Sequence, residues 1–248
     1  MANWQDPRVT DRTGVTAASV GVPRAARDAG LRSYMLSVYN YMASGVLLTG
    51  IIALLFAPYA GQVLVGPRGG LSGLGWIVTL APLGFVFAMS FGVNRMQTST
   101  LRVLFWAFAA VMGLSMSTLF LAFTGVSIAQ TFFATAAAYL GLSLYGYTTK
   151  RDLSGMGTFL IMGVVGLLVA MVINMFLQSS AMALAISAIG VLLFAGLTAY
   201  DTQRIKSMYA YVQGTDMVGK TVIMGALTLY LDFINMFQFL LMFMGDRR

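Results

Sequence analysis

The chain has 248 residues, 58% of them hydrophobic and only 9% charged, where soluble domains carry about 25% charged residues. That balance excludes a soluble globular protein and points to an all-α, polytopic membrane protein whose first partner is the lipid bilayer. Cysteine and histidine are both absent, which removes disulfides, Fe–S clusters and thiolate metal sites together with the usual proton shuttle and zinc ligand. The net charge of +7 fits loops facing anionic lipid, so no nucleic acid is expected.

Residues 1–33 are polar and basic, carrying Arg8, Arg12, Arg24, Arg27 and Arg32. They are expected to form a mostly disordered cytoplasmic tail that turns helical near Ala25; the alternative is an amphipathic interfacial helix around 24–34. The short apolar core of a cleavable signal peptide is missing, so the first spanning helix should serve as its own insertion signal.

The second unit, 34–245, is expected to be a seven-helix transmembrane domain. Seven apolar runs follow one another at 34–57, 74–94, 101–124, 128–148, 156–178, 181–203 and 221–244, each near the ~20 residues a spanning helix needs. Pro58 and Gly61 are expected to close the first run, and 58–73 and 204–219 to be the only long connections. With the N-terminus cytoplasmic, the inner side holds Arg95, Arg102, Lys150, Arg151, Arg204, Lys206 and Lys220 besides the five tail arginines; the outer side holds Arg68, Arg247 and Arg248. Lysine and arginine bias sets membrane orientation, so the N-terminus is placed inside and the C-terminus outside. Small residues within the runs, such as Gly113, Gly163, Gly166 and Gly190, read as bundle packing.

Chemistry concentrates in the last two runs. Asp232 lies near the middle of the seventh, with Asn235 one turn on along the same helical face. An acid at membrane depth is costly unless it meets water, a cation or a partner group. Asp232 is thus either an uncharged, hydrogen-bonded structural acid or part of an ion path. Asp201 closes the sixth run in GLTAYDTQRIK, 196–206, as either a solvated or arginine-paired helix-end residue or a second member of the path. Were the two helices to pack side by side, like charges would resist simultaneous ionisation, making Asp201 and Asp232 a proton-sensitive element. A divalent cation could take the proton's place, since Ca²⁺ prefers hard oxygen ligands. Arg95, after FAMSFGVN at the end of the second run, is either a snorkelling interface arginine or a counter-charge that closes a pore. No zinc-hydrolase, nucleophile-elbow or phosphate-loop motif occurs, and neither aspartate has the Gly-x-Gly-Asp context of an intramembrane protease. No enzymatic activity and no resident cofactor are expected.

YDTQRIK (200–206) and ALTLYLDFINMFQFLL (226–241) closely resemble signatures in the last two helices of the Bax inhibitor-1 family, also called the transmembrane Bax inhibitor motif family; YNYMASGVLLTG (39–50) resembles its first-helix pattern. The resemblance covers about residues 30–245 and suggests a bacterial, inner-membrane member. It implies a seven-helix bundle with the C-terminal helix central among the other six. It also implies a pH-sensitive calcium leak in which Asp201 and Asp232 form the proton sensor, with Arg95, 18 residues before Gly113, engaging them in the closed state. Protonation would then weaken the hold on Arg95, and Ca²⁺ would pass by carboxylate and amide oxygens, including Asn235. Some bacterial relatives instead bind and modulate a membrane-anchored AAA protease, and the basic tail would suit such a partner. The C-terminal basic cluster of animal members is barely present here, and nothing about cell-death signalling carries over.

Overall fold

A computed structural model describes residues 24–67 and 69–248. The basic tail through residue 23, on which the protease-partner reading rests, lies outside the described residues, as does Arg68. The described residues form α1 (Arg24–Leu64), α2 (Gly73–Gly92), α3 (Thr98–Met116), α4 (Leu119–Ala122), α5 (Gly125–Thr148), α6 (Ser154–Leu177), α7 (Ser180–Val212) and α8 (Met217–Met244). With α3 and α4 taken as one span, seven helices are long and apolar enough to cross a membrane, one for each apolar run.

Several boundaries differ from the expected ones, each for a physical reason. Helix α1 starts at Arg24, next to the expected onset near Ala25, and continues through Pro58 to Leu64 instead of closing at Pro58 and Gly61. A proline removes one backbone donor, and membrane helices tolerate that because neighbouring groups satisfy the freed carbonyl. The third run breaks after Met116, where Ser117 Oγ donates to Leu114 O (2.6 Å) and Thr118 Oγ1 to Ser115 O (2.8 Å). Such hydroxyl-to-carbonyl bonds compete with the helical ladder. The expected long connection 204–219 is mostly helix: α7 runs on to Val212 and α8 begins at Met217. A four-residue turn joins them, with Gly214 at φ 76°, a left-handed conformation that glycine adopts without a steric penalty.

Helix α8 is the most buried span. In its apolar window 56% of the residues are buried, against 11% in α6. It packs against α1, α3, α5 and α7, while α2 rests on α3 and α1, and α6 on α7. Its principal neighbours are therefore four helices rather than six. The outer faces of α2 and α6 expose large apolar side chains such as Phe91, Phe159 and Phe176, as lipid contact requires. The basic residues Lys150, Arg151, Arg204, Lys206 and Lys220 gather near one end of the bundle, at the α5–α6 and α7–α8 connections. At the other end, the C-terminal residues are tied to the start of α5: Asp246 N donates to Ser127 Oγ (2.9 Å) and Thr124 N to Asp246 O (3.1 Å).

One buried hydroxyl chain knits three helices. Thr49 Oγ1 of α1 donates to Ala109 O of α3 (2.8 Å), so the 2.6 Å contact between Tyr230 Oη and Thr49 Oγ1 must have the tyrosine as donor. Tyr230 is fully buried between Phe105 and Phe108. Tyr230→Phe should therefore destabilise the folded protein by about 1 kcal/mol. That is checked by a lowered thermal-unfolding midpoint in detergent; an unchanged midpoint would mean that the link carries no net stability.

Candidate functional site

The short α7–α8 turn determines how the two acids meet. From Asp201 to the end of α7 is about 16 Å, and from the start of α8 to Asp232 about 22 Å, at 1.5 Å rise per residue. Measured from that turn, Asp201 lies within about one turn of Asp232's depth. Gln203, two residues on, donates to Arg151 O and accepts from Leu153 N of the α5–α6 loop (both 2.8 Å), so the pair sits close to the basic end. Close approach closes the remaining offset. Gly225 of α8 lies against Ile205 of α7, and Gly190 of α7 against the ring of Phe239 of α8. The structure brings Asp201 and Asp232 together, their carboxyls within hydrogen-bonding reach.

Asp201 is 7% exposed and Asp232 4%. Two ionised carboxylates can only accept hydrogen bonds, so this contact needs a proton between them. Losing that proton would leave two adjacent anions in a low-dielectric setting, where their repulsion is several-fold stronger than in water. The remaining oxygen of Asp232, Oδ2, is buried with no hydrogen-bond partner among the described residues.

Hydroxyls line the approach from α5 and α1. Tyr139 of α5 stands close enough to both carboxyls and to Tyr39 for their charges to interact, and its own buried hydroxyl has no hydrogen-bond partner among the described residues. One turn on, Ser143 Oγ meets Tyr39 Oη of α1 at 2.6 Å and Thr202 Oγ1 of α7 at 3.1 Å. The sequence reading missed these residues, although the signal was there. Ser127, Thr131, Thr135, Tyr139 and Ser143 recur every fourth position and form the buried face of α5, a polar stripe inside an apolar run.

The other predicted site residues lie apart from the pair. Asn235 sits one turn beyond Asp232, and its Nδ2 donates to Leu231 O of its own helix (2.8 Å). Arg95 is exposed in the α2–α3 turn, where its backbone N–H bonds Gly92 O (2.9 Å). The cation whose field reaches Asp201 is instead Arg204, one turn along α7. The two neighbouring lysines are engaged structurally. Lys206 Nζ donates to Tyr147 O (2.7 Å) while lying 4.8 Å from that ring's centroid, and Lys220 Nζ donates to Val93 O (3.0 Å). Asp152, in the α5–α6 loop, accepts from Ser154, and these bonds hold its carboxyl below the usual carboxylate range. It thus stays charged at any pH that would matter to a buried pair. Among the described residues no cluster of three or more acidic side chains could hold a metal ion.

A seven-span helical bundle with two buried carboxyls in contact, one of them on its most buried helix, is the class these features define. The chain belongs to the Bax inhibitor-1 family: the family model described as "Inhibitor of apoptosis-promoting Bax1" matches residues 31–248. Among its relatives, an uncharacterized protein of Rickettsia prowazekii is 49% identical over 225 residues, covering 89% of this chain and 92% of the relative. A Caulobacter vibrioides protein is 43% identical over 94% of this chain and 96% of its own length. The inner membrane protein YbhL of Escherichia coli K12 is 43% identical over 93% and 97%.

Proposed function

We propose that this chain is a pH-sensitive calcium-leak protein of the bacterial inner membrane, not an enzyme, with the basic end of the bundle on the cytoplasmic side. The observation that carries this reading is the contact of Asp201 with Asp232, both buried between the helices. In the low-pH form the shared proton holds α7 and α8 together, the opposite sign to the one the resemblance implies, where protonation releases Arg95. As pH rises the proton leaves, the two carboxylates repel one another, and the site acquires the charge that attracts a divalent cation. Ca²⁺ is cargo here. Two carboxylates with surrounding hydroxyls offer fewer oxygens than the 6–8 of a resident calcium site, and a conducting pathway needs binding weak enough for release.

Electrostatic control is assigned to Arg204 rather than Arg95. Arg204→Gln removes a cation that favours the ionised pair, so the pH profile of the leak should move to higher pH, whereas Arg95→Gln should leave it in place. Ca²⁺ uptake into proteoliposomes across a pH series checks this. A shift confined to Arg95→Gln would restore the predicted role of that residue.

A further inference from the structure

The cationic side chains at the basic end of the bundle fall into two groups. Lys206 and Lys220 donate to carbonyls at helix ends. Lys150, Arg151 and Arg204 are exposed, and among the described residues their side chains make no ion pair and no hydrogen bond; Arg151 and Arg204 bond through their backbones alone. These three converge on one concavity of about 320 Å³ between the α5–α6 loop and α7, within the size range of small-ligand sites. Asp152, the one acid in the lining, already accepts from Ser154 N (2.9 Å). Three cations less one acid leave the basin a net charge of +2.

The hollow is preformed. Gln203 of α7 grips the loop on both sides of residue 152, through Arg151 O and Leu153 N. At the floor, Tyr200 of α7 lies so close to Gly157 of α6 that a Cβ there would enter its ring. Such preorganisation lowers the cost of binding. Below the basin the surface turns apolar at once. Ile161 and Val165, seven and eleven residues beyond Ser154, share its face of α6 and are exposed, as is Leu192 on α7, eight residues before Tyr200. An occupant that matches the whole site carries negative charge at the interface and hydrocarbon directly beneath it. A free phosphate would engage only the upper half.

We infer that the basin of Lys150, Arg151 and Arg204 binds the phosphate headgroup of an anionic phospholipid in the leaflet at the basic end, with the acyl chains along the seam between α6 and α7. Basic hollows between spanning helices suit such headgroups; the two guanidinium groups offer forked donors to phosphate oxygens and the lysine adds a point charge. The site does not depend on calcium passage, and lipid binding is read without ion flux. Arg204 also acts on Asp201 along its own helix, so the test leaves it in place and removes Lys150 and Arg151.

Native mass spectrometry of the full chain in detergent, titrated with phosphatidylglycerol or with phosphatidylcholine of the same acyl chains, provides the test. The wild type should hold one phosphatidylglycerol at concentrations where phosphatidylcholine does not bind. Lys150→Gln combined with Arg151→Gln should weaken that first phosphatidylglycerol by roughly 25-fold, fivefold for each charge lost beside an anionic headgroup. Arg95→Gln combined with Arg102→Gln removes the same charge away from the basin and should leave binding unchanged; all four side chains are exposed, so the fold is kept. Equal losses in the two double variants would reduce the effect to general surface charge and overturn the site. Wild type that binds both lipids alike would also overturn it, and wild type that retains inorganic phosphate without preferring either lipid would overturn the lipid as occupant.

Discussion

Asp232→Asn is expected to flatten the pH dependence of Ca²⁺ flux in proteoliposomes and to lower flux at the high-pH end by about tenfold, the equivalent of 1.4 kcal/mol. The asparagine is isosteric with a protonated aspartate and donates permanently to Asp201, so the contact between α7 and α8 survives at every pH. It also removes the second negative charge that deprotonation supplies, and with it the stronger attraction for a divalent ion. A variant with normal flux and normal pH dependence would make Asp232 a structural acid and place the pathway elsewhere.

The second large effect concerns the scaffold that holds the hydroxyls against the pair. Gly146 ends the buried stripe of α5, and a Cβ there would run into the Ala199 carbonyl and Cα of α7. These are backbone atoms, which no side-chain rotation can clear. Gly146→Leu should push α5 away from α7 and strain the flanking Ser143–Thr202 and Lys206–Tyr147 bonds. The expected destabilisation reaches or exceeds the ~1–3 kcal/mol typical of overpacking, seen as a lowered melting midpoint in detergent. Gly141→Leu is the matched comparison, since nothing lies within 4 Å of the added Cβ, and it should be nearly neutral. Equal losses in the two variants would mean that propensity, not the α5–α7 approach, sets the effect.

The seven spans were legible because lipid demands long apolar runs, and each run became a helix. Their ends were less so. Residues 204–212 mix Arg204 and Lys206 with Ile205 and Tyr209, and this diluted the apolar signal even though Ile205 is buried. Pro58 looked like a stop, yet in a membrane helix it is not one. Asp201 and Asp232 stood out as acids in apolar sequence. Their contact did not, because it depends on how far α7 extends and on a turn whose length the loop composition concealed. Arg95 and Arg204 are both exposed arginines; the i, i+3 spacing already put Arg204 one turn from Asp201, whereas only the fold shows that Arg95 stays in the α2–α3 turn. Tyr139 was one aromatic among many until its neighbours at spacing four placed it on the inner face of α5.

The central claim is that Asp201 and Asp232 act as one proton site. A double-mutant cycle on Ca²⁺ flux across a pH series tests it most directly, comparing wild type, Asp201→Asn, Asp232→Asn and the double variant. The account predicts flux that rises with pH in the wild type, and a double variant no more impaired than either single one, because groups that act as a unit are non-additive. Losses that simply add, or a wild type whose flux ignores pH, would contradict it.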